Sequence, residues 1–260
     1  MKKILLYLLC LSTLNGCTTV KSTTARLNSG NYDEAIRIAL NKLKKNPDKK
    51  GKQEYVLLLE EAFAKAKKRD IERVAFLEKE KQTSNLERIY NTYVSLRKRQ
   101  DIIKPILPLR IFQENRTANF QFENYDDEII QSKNELVASL YTEATTQFTN
   151  ASSKNDYRNV HKSLTYLDKL KPGYKNTATM LTQAHEEGTA YISVLLSNDS
   201  DVALPNRLQN ELMDFSTLDL DDFWTVYHSR PSASIEYDYE IQIAFTDIVV
   251  SPESVKEREL

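Results

Sequence analysis

Between residues 31 and 188 the apolar positions recur every three or four residues, and beyond 188 they recur every second one. The chain therefore reads as a helical part followed by a part that contains strands. In NYDEAIRIALNKLKKNP, residues 31–47, Tyr32, Ala35 and Ala39 share one helix face and Pro47 ends the helix by denying it a donor. Tyr55 to Lys68 and Ile71 to Lys81 predict two further amphipathic helices. Leu86, Ile89, Tyr90, Tyr93, Val94 and Leu96 mark a third, which stops near Pro105 and Pro108. Residues 105–128 then lose the helical period and carry Phe112, Phe120, Phe122 and Tyr125, with Phe120 and Phe122 alternating as in a short strand or extended loop. The helical pattern returns from Leu136 to Phe148, from Tyr157 until Pro172 ends it, and from Thr177 to Glu187, where Gly188 is the expected C-cap.

Past Gly188, Tyr191 to Leu196 predicts a strand, and Leu204 to Phe215 a helix with Pro205 in its first turn. Phe223 to His228 predicts a second strand. From Ile235 to Phe245 apolar residues alternate with Glu236, Asp238, Glu240 and Gln242, which predicts a half-buried strand with an acidic outer face. The expected class is α+β, a helical domain over 18–188 with an insertion at 105–128, then a small βαββ module over 189–260. Three strands make a poor independent sheet, so further chain beyond Leu260 is expected.

The 31–47 segment aligns without gaps on DYRNVHKSLTYLDKLKP, residues 156–172, matching Tyr32, Ala35, Ala39 and Pro47 to Tyr157, Val160, Leu164 and Pro172. This pattern, with Gly30 to Ile36 as its start, resembles the second helix of a tetratricopeptide repeat. Lys42 stands where that family has a small residue, and the second copy lacks the Gly and the Ala. The resemblance implies helical hairpins stacked as a TPR-like solenoid. The β-rich end resembles, over about 60 residues, the α/β modules of periplasmic assembly lipoproteins such as the curli-secretion type. As a whole the chain resembles the TPR-like outer-membrane lipoproteins of Bacteroidetes.

Composition narrows the chemistry. The chain has 260 residues, 40% hydrophobic and 28% charged, which describes a globular protein with a substantial core. Its five glycines are too scattered for a phosphate-binding or dinucleotide-binding loop. Charge is segregated: residues 42–110 carry 19 Lys or Arg against 10 Asp or Glu, and residues 111–260 carry 12 against 25. The basic run reads either as a solvated helix end or as a surface for anionic lipid or a polyanionic wall component. The net charge of −1 argues against nucleic acid.

The opening MKKILLYLLCLSTLNGC has the charged start and short apolar run of a secretory signal, too short to span a bilayer. Leu14, Asn15, Gly16 and Cys17 resemble a bacterial lipobox. That resemblance implies cleavage before Cys17, lipidation of its thiol, and anchorage by several acyl chains to the outer membrane, facing the periplasm. No cysteine then remains for catalysis, metal or a disulfide.

The three histidines, His161, His185 and His228, lack metal-ligand spacing, and Asp214, Asp219, Asp221 and Asp222 lack the calcium-loop pattern. Trp224 and Tyr227 fit either a sugar platform or the packing of a small sheet on its helix. No enzyme motif, cofactor or metal site is expected. The expected function is a protein-binding scaffold or accessory factor in envelope assembly or secretion. Phe112, Phe120, Phe122 and Tyr125 are its candidate contacts, and capture of a glycan or cell-wall fragment is the alternative. An envelope protein partner is expected, and a small-molecule ligand is left open.

Overall fold

The structure is a computed structural model of the chain, described over residues 14–203, 205–212 and 220–249. Residues 1–13 of the segment read as a signal over 1–17, Asp214, Asp219 and the VKEREL end lie outside the described residues, as does the side chain of Cys17. The chain divides into two compact units, 1–139 and 140–260. It is α+β: helices dominate, and the strands form a two-stranded ribbon and a three-stranded sheet. Among the described residues no helix is long and apolar enough to cross a membrane.

The first unit is built on helices α1 (Leu14–Asn28), α2 (Tyr32–Leu43), α3 (Gln53–Glu80) and α4 (Leu86–Ile103). Asn31 starts α2 by accepting a hydrogen bond from the Glu34 amide, and Asp33 and Glu34 favour its positive end. Ala35, Ile36, Ala39, Leu40 and Leu43 give α2 one buried stripe. The main core joins that stripe to Tyr55, Val56, Leu59, Ala62, Phe63 and Ala66 of α3. The two helices predicted between Tyr55 and Lys81 are one 28-residue helix, because nothing in 68–71 breaks it. Asp70 interrupts the apolar pattern, yet it occupies a buried position of the same stripe as Ala66 and Val74.

Residues 105–128 contain the ribbon β1 (Arg110–Ile111) and β2 (Arg116–Thr117), paired antiparallel. An extended stretch follows it. Helix α5 (Asp126–Asn150) begins ten residues before the predicted Leu136. Asp126, Asp127 and Glu128 complement its dipole, and the Asn124 side chain accepts from the Asp126 amide.

In the second unit α6 (Lys154–Leu170) pairs with α7 (Thr177–Gly188) around Ala144, Val160, Leu164, Met180 and Ala184. A capping box between Ser153 and Asp156 starts α6, which ends just before Pro172 as predicted. Strands β3 (Ala190–Asn198), β4 (Thr225–His228) and β5 (Tyr239–Phe245) form a sheet of order β4-β3-β5, with both outer strands parallel to β3. Helix α8 (Asn206–Leu212) precedes β4, so the expected βαββ order is present. Pro205 stands just before that helix, and Leu204 and residues 213–215 of the predicted span lie outside the described residues. β5 is not half-buried: Tyr239 is 66% exposed and Ile241 and Ile243 are exposed too, so no described element covers its apolar face. Asp238 ties the start of β5 to β3, accepting from the Tyr191 amide at 2.8 Å and pairing with Lys154 at 3.3 Å.

Gly188 is the last residue of α7 rather than a left-handed cap, and Thr189 follows in extended conformation. Its requirement is steric. A Cβ at Gly188 would lie 2.8 Å from Cζ3 of Trp224 and 3.2 Å from Cγ of Arg158. The Arg158 guanidinium sits 5.4 Å from the Trp224 ring centre and donates to the carbonyls of Gly188 and Trp224, at 2.8 and 3.2 Å. Gly188→Ala is expected to destabilise this unit by about 1–3 kcal/mol through overpacking. The Trp224 fluorescence transition in a urea titration measures this, and an unchanged midpoint would refute the steric assignment.

Candidate functional site

Helix α3 and the extended stretch after β2 form an open cavity of about 590 Å³. Phe63, Ala64 and Ile71 supply its apolar surface, together with the carbon stems of Lys67 and Lys68. Asn119, Gln121 and Glu123 form the facing wall. The alternation predicted for this stretch decides the wall. Phe120 and Phe122 turn inward onto Phe63, edge to face at 5.6 and 5.5 Å, so the intervening polar residues turn toward the groove.

The wall is pinned by side chains from both neighbouring helices. Arg116 donates to both carboxylate oxygens of Glu60 at 2.7 and 2.8 Å, and the Asn119 amide donates to Glu60 as well. Lys67 donates to the Gln121 carbonyl at 2.9 Å and to Glu123 at 2.7 Å. From α4, the Gln100 side chain donates to the Glu123 carbonyl at 2.9 Å and accepts from its amide at 3.0 Å. At the ribbon, Gln53 accepts from the Phe112 amide at 2.9 Å.

These bonds leave the groove's charges compensated. Arg116 holds the Glu60 carboxyl below its usual pKa, with the Asn119 amide adding to the effect. Lys67 and then the Tyr125 hydroxyl do the same for Glu123. Burial, reinforced by Glu123, pushes the Tyr125 hydroxyl up. Lys68 pairs loosely with Glu72 at 3.9 Å. The groove is thus an apolar strip bordered by neutralised ion pairs.

The four candidate aromatics do not form one exposed patch. Phe112 is 49% exposed, Phe120 and Phe122 pack against the main core, and Tyr125 is buried beside Leu96 and Ile129. Sequence reasoning missed Phe63, Ala64 and Lys67, whose only signal was their place in an amphipathic helix. The acidic face of β5 carries Glu240 and Gln242 on an exposed strand.

Other polar residues serve packing. Asp221 and Asp222 accept from the amides of Tyr227 and Trp224, which shapes the turn into β4. His161 and His185 meet Phe223 and Trp224 in an aromatic cluster, with their ring centres 6.1 Å apart. The His185 Nε2 donates to the Phe223 carbonyl at 2.8 Å. Burial, then His185, holds the His161 imidazole below its usual pKa. Among the described residues no group of three or more His, Cys, Asp or Glu is placed to hold a metal ion. Compared with known proteins, the chain matches no family model, no curated protein and no solved structure.

Proposed function

We propose that the chain is a non-catalytic binding protein whose α3 groove captures an extended segment of a partner protein. In this reading Cys17 carries a lipid anchor in the outer membrane, facing the periplasm, and helices α1 to α4 stack as a TPR-like solenoid. The protein acts as a scaffold or accessory factor in envelope assembly or secretion. The observation that supports it is the charge-compensated apolar strip between α3 and residues 119–123. A groove whose ions already pair with each other gains little from a charged ligand and most from an apolar side chain. A glycan fits it less well. Sugar recognition needs an open aromatic face, and Phe63 is buried under Phe120 and Phe122.

Ala64 is exposed on the groove surface, so Ala64→Trp fills the strip without disturbing the core. Crosslinked pulldown from membranes compares the full-length protein with Ala64→Trp and Cys17→Ala. The groove variant is expected to capture the wild-type set of envelope proteins about tenfold less well or worse, at an unchanged unfolding temperature. Equal capture by Ala64→Trp would refute the groove. Recovery of wall oligosaccharides with no protein would replace the reading with a ligand receptor.

A further inference from the structure

A second cavity, of about 320 Å³, opens between α3 and α4 along a different strip of α3. Four guanidinium groups line it, those of Arg69, Arg73, Arg88 and Arg99, against two carboxylates, Asp33 and Asp70. The carboxylates are engaged. Asp70 bonds Arg69 at 2.7 Å and Arg99 at 2.8 Å, and Asp33 bonds Arg99 at 2.9 Å and Arg69 at 3.2 Å. Arg73 and Arg88 are exposed, and among the described residues neither side chain has an acidic partner or a hydrogen bond. The site therefore carries an excess of two positive charges.

A second observation comes from Arg99. Its side chain is only 4% exposed, yet its Nη1 has no hydrogen-bond partner, although Nε and Nη2 both have one. A buried guanidinium N–H without an acceptor is rare, because leaving it unmade forfeits its whole solvation. Here the unsatisfied donor belongs to a residue that lines a cationic cavity. The hydroxyls of Thr92 and Ser95, which also line it, donate to the carbonyls of Arg88 and Asn91 of their own helix. Besides the guanidinium donors, the cavity therefore offers only the side-chain amide of Asn91 and the two engaged carboxylates.

We infer that this cavity binds a phosphoryl group. A phosphomonoester carries about −1.5 to −2 at neutral pH and three acceptor oxygens, which matches the two excess charges and the planar forks of Arg73 and Arg88. A single carboxylate would leave half the excess charge unmatched. The group comes either free, as inorganic phosphate or a small phosphomonoester, or on a lipid headgroup. The inference does not rest on the α3 groove and is tested without it.

Purified chain carrying Cys17→Ser, which removes any anchor, is titrated calorimetrically with inorganic phosphate in chloride buffer of fixed ionic strength. It is also floated with phosphatidylcholine vesicles containing phosphatidic acid. Saturable phosphate binding that falls about tenfold or more in Arg73→Ala/Arg88→Ala supports the site. Because both residues are exposed and unpaired, the double variant is expected to keep the wild-type unfolding temperature in the absence of phosphate. Flotation with phosphatidic acid that the double variant loses identifies a headgroup, and phosphate binding without flotation identifies a free ligand. Absence of both in the parent chain, or binding unchanged in the double variant, overturns the inference.

Discussion

Asp70→Ala is expected to destabilise the first unit by about 3–5 kcal/mol. Asp70 and Arg99 are each 4% exposed at the side chain and bond at 2.8 Å. Each also holds an outer partner, Arg69 for the acid and Asp33 for the guanidinium. Taking such a pair out of water costs several kcal/mol per ion, which the mutual attraction and the added hydrogen bonds offset. Removal of Asp70 leaves Arg99 buried with Asp33 alone, whose carboxyl is 61% exposed. Replacing both ions by apolar residues of similar bulk, Asp70→Leu with Arg99→Met, is expected to cost much less than the single change. Urea unfolding followed by circular dichroism measures both, and a loss below about 1 kcal/mol for Asp70→Ala would refute the argument.

The same cluster sets an acid dependence. Burial pushes the Asp33 carboxyl upward, but Arg99 and Arg69 outweigh it and hold the folded value below the ordinary 3.8. A carboxyl with a lowered folded pKa contributes stability that is complete above its unfolded value and lost as pH falls through the folded one. The stability of the wild type should therefore fall more steeply below about pH 4 than that of Asp33→Asn. In Asp70→Ala the slope should grow, because Asp33 is then the only neutraliser left to Arg99.

The cluster also shows what a sequence reading reaches. Helices that bury one uniform face were legible, as α2 and α6 show: α6 ends two residues before Pro172, whereas α2 already ends at Leu43, four residues before Pro47. The sequence pattern divides α3 into two helices because an acid in an apolar stripe mimics a boundary, and only a partner 29 residues away, Arg99, makes it a core residue. The start of α5 was hidden by its composition, since DDEIIQSKNE satisfies a helix terminus and a polar insertion equally well. Gly188 presents itself in the sequence as a cap because the constraint on it comes from Trp224, 36 positions on. The β-α-β-β succession of the second unit was legible, but alternation distinguishes two faces without giving the strand order in the sheet or saying what covers either face, and β5 is exposed on its apolar one. The groove lay beyond local pattern altogether. Its walls are tied by Glu60 to Arg116 and by Lys67 to Glu123, pairs 56 residues apart.

Phe63→Ala is expected to cost about 3–5 kcal/mol and to detach the 119–123 wall from α3. The ring is 3% exposed and meets both Phe120 and Phe122 in T-shaped contacts, and those two rings themselves stack at 6.0 Å. A double-mutant cycle between Phe63 and Phe122 should give a coupling of about 0.5–1.5 kcal/mol beyond the buried area. The consequence reaches the groove, because the backbone that turns Phe120 and Phe122 inward is the one that turns Asn119, Gln121 and Glu123 outward. Core packing and groove shape are thus one constraint, and the inward aromatics shape the groove only through the wall they hold. Phe112 provides the contrast within the same segment: it is 49% exposed, and Phe112→Ser should leave the unfolding midpoint within about 0.5 kcal/mol of the wild type. If Phe63→Ala unfolds at the wild-type urea concentration, the aromatic stretch is not anchored on α3 and the groove has no fixed wall.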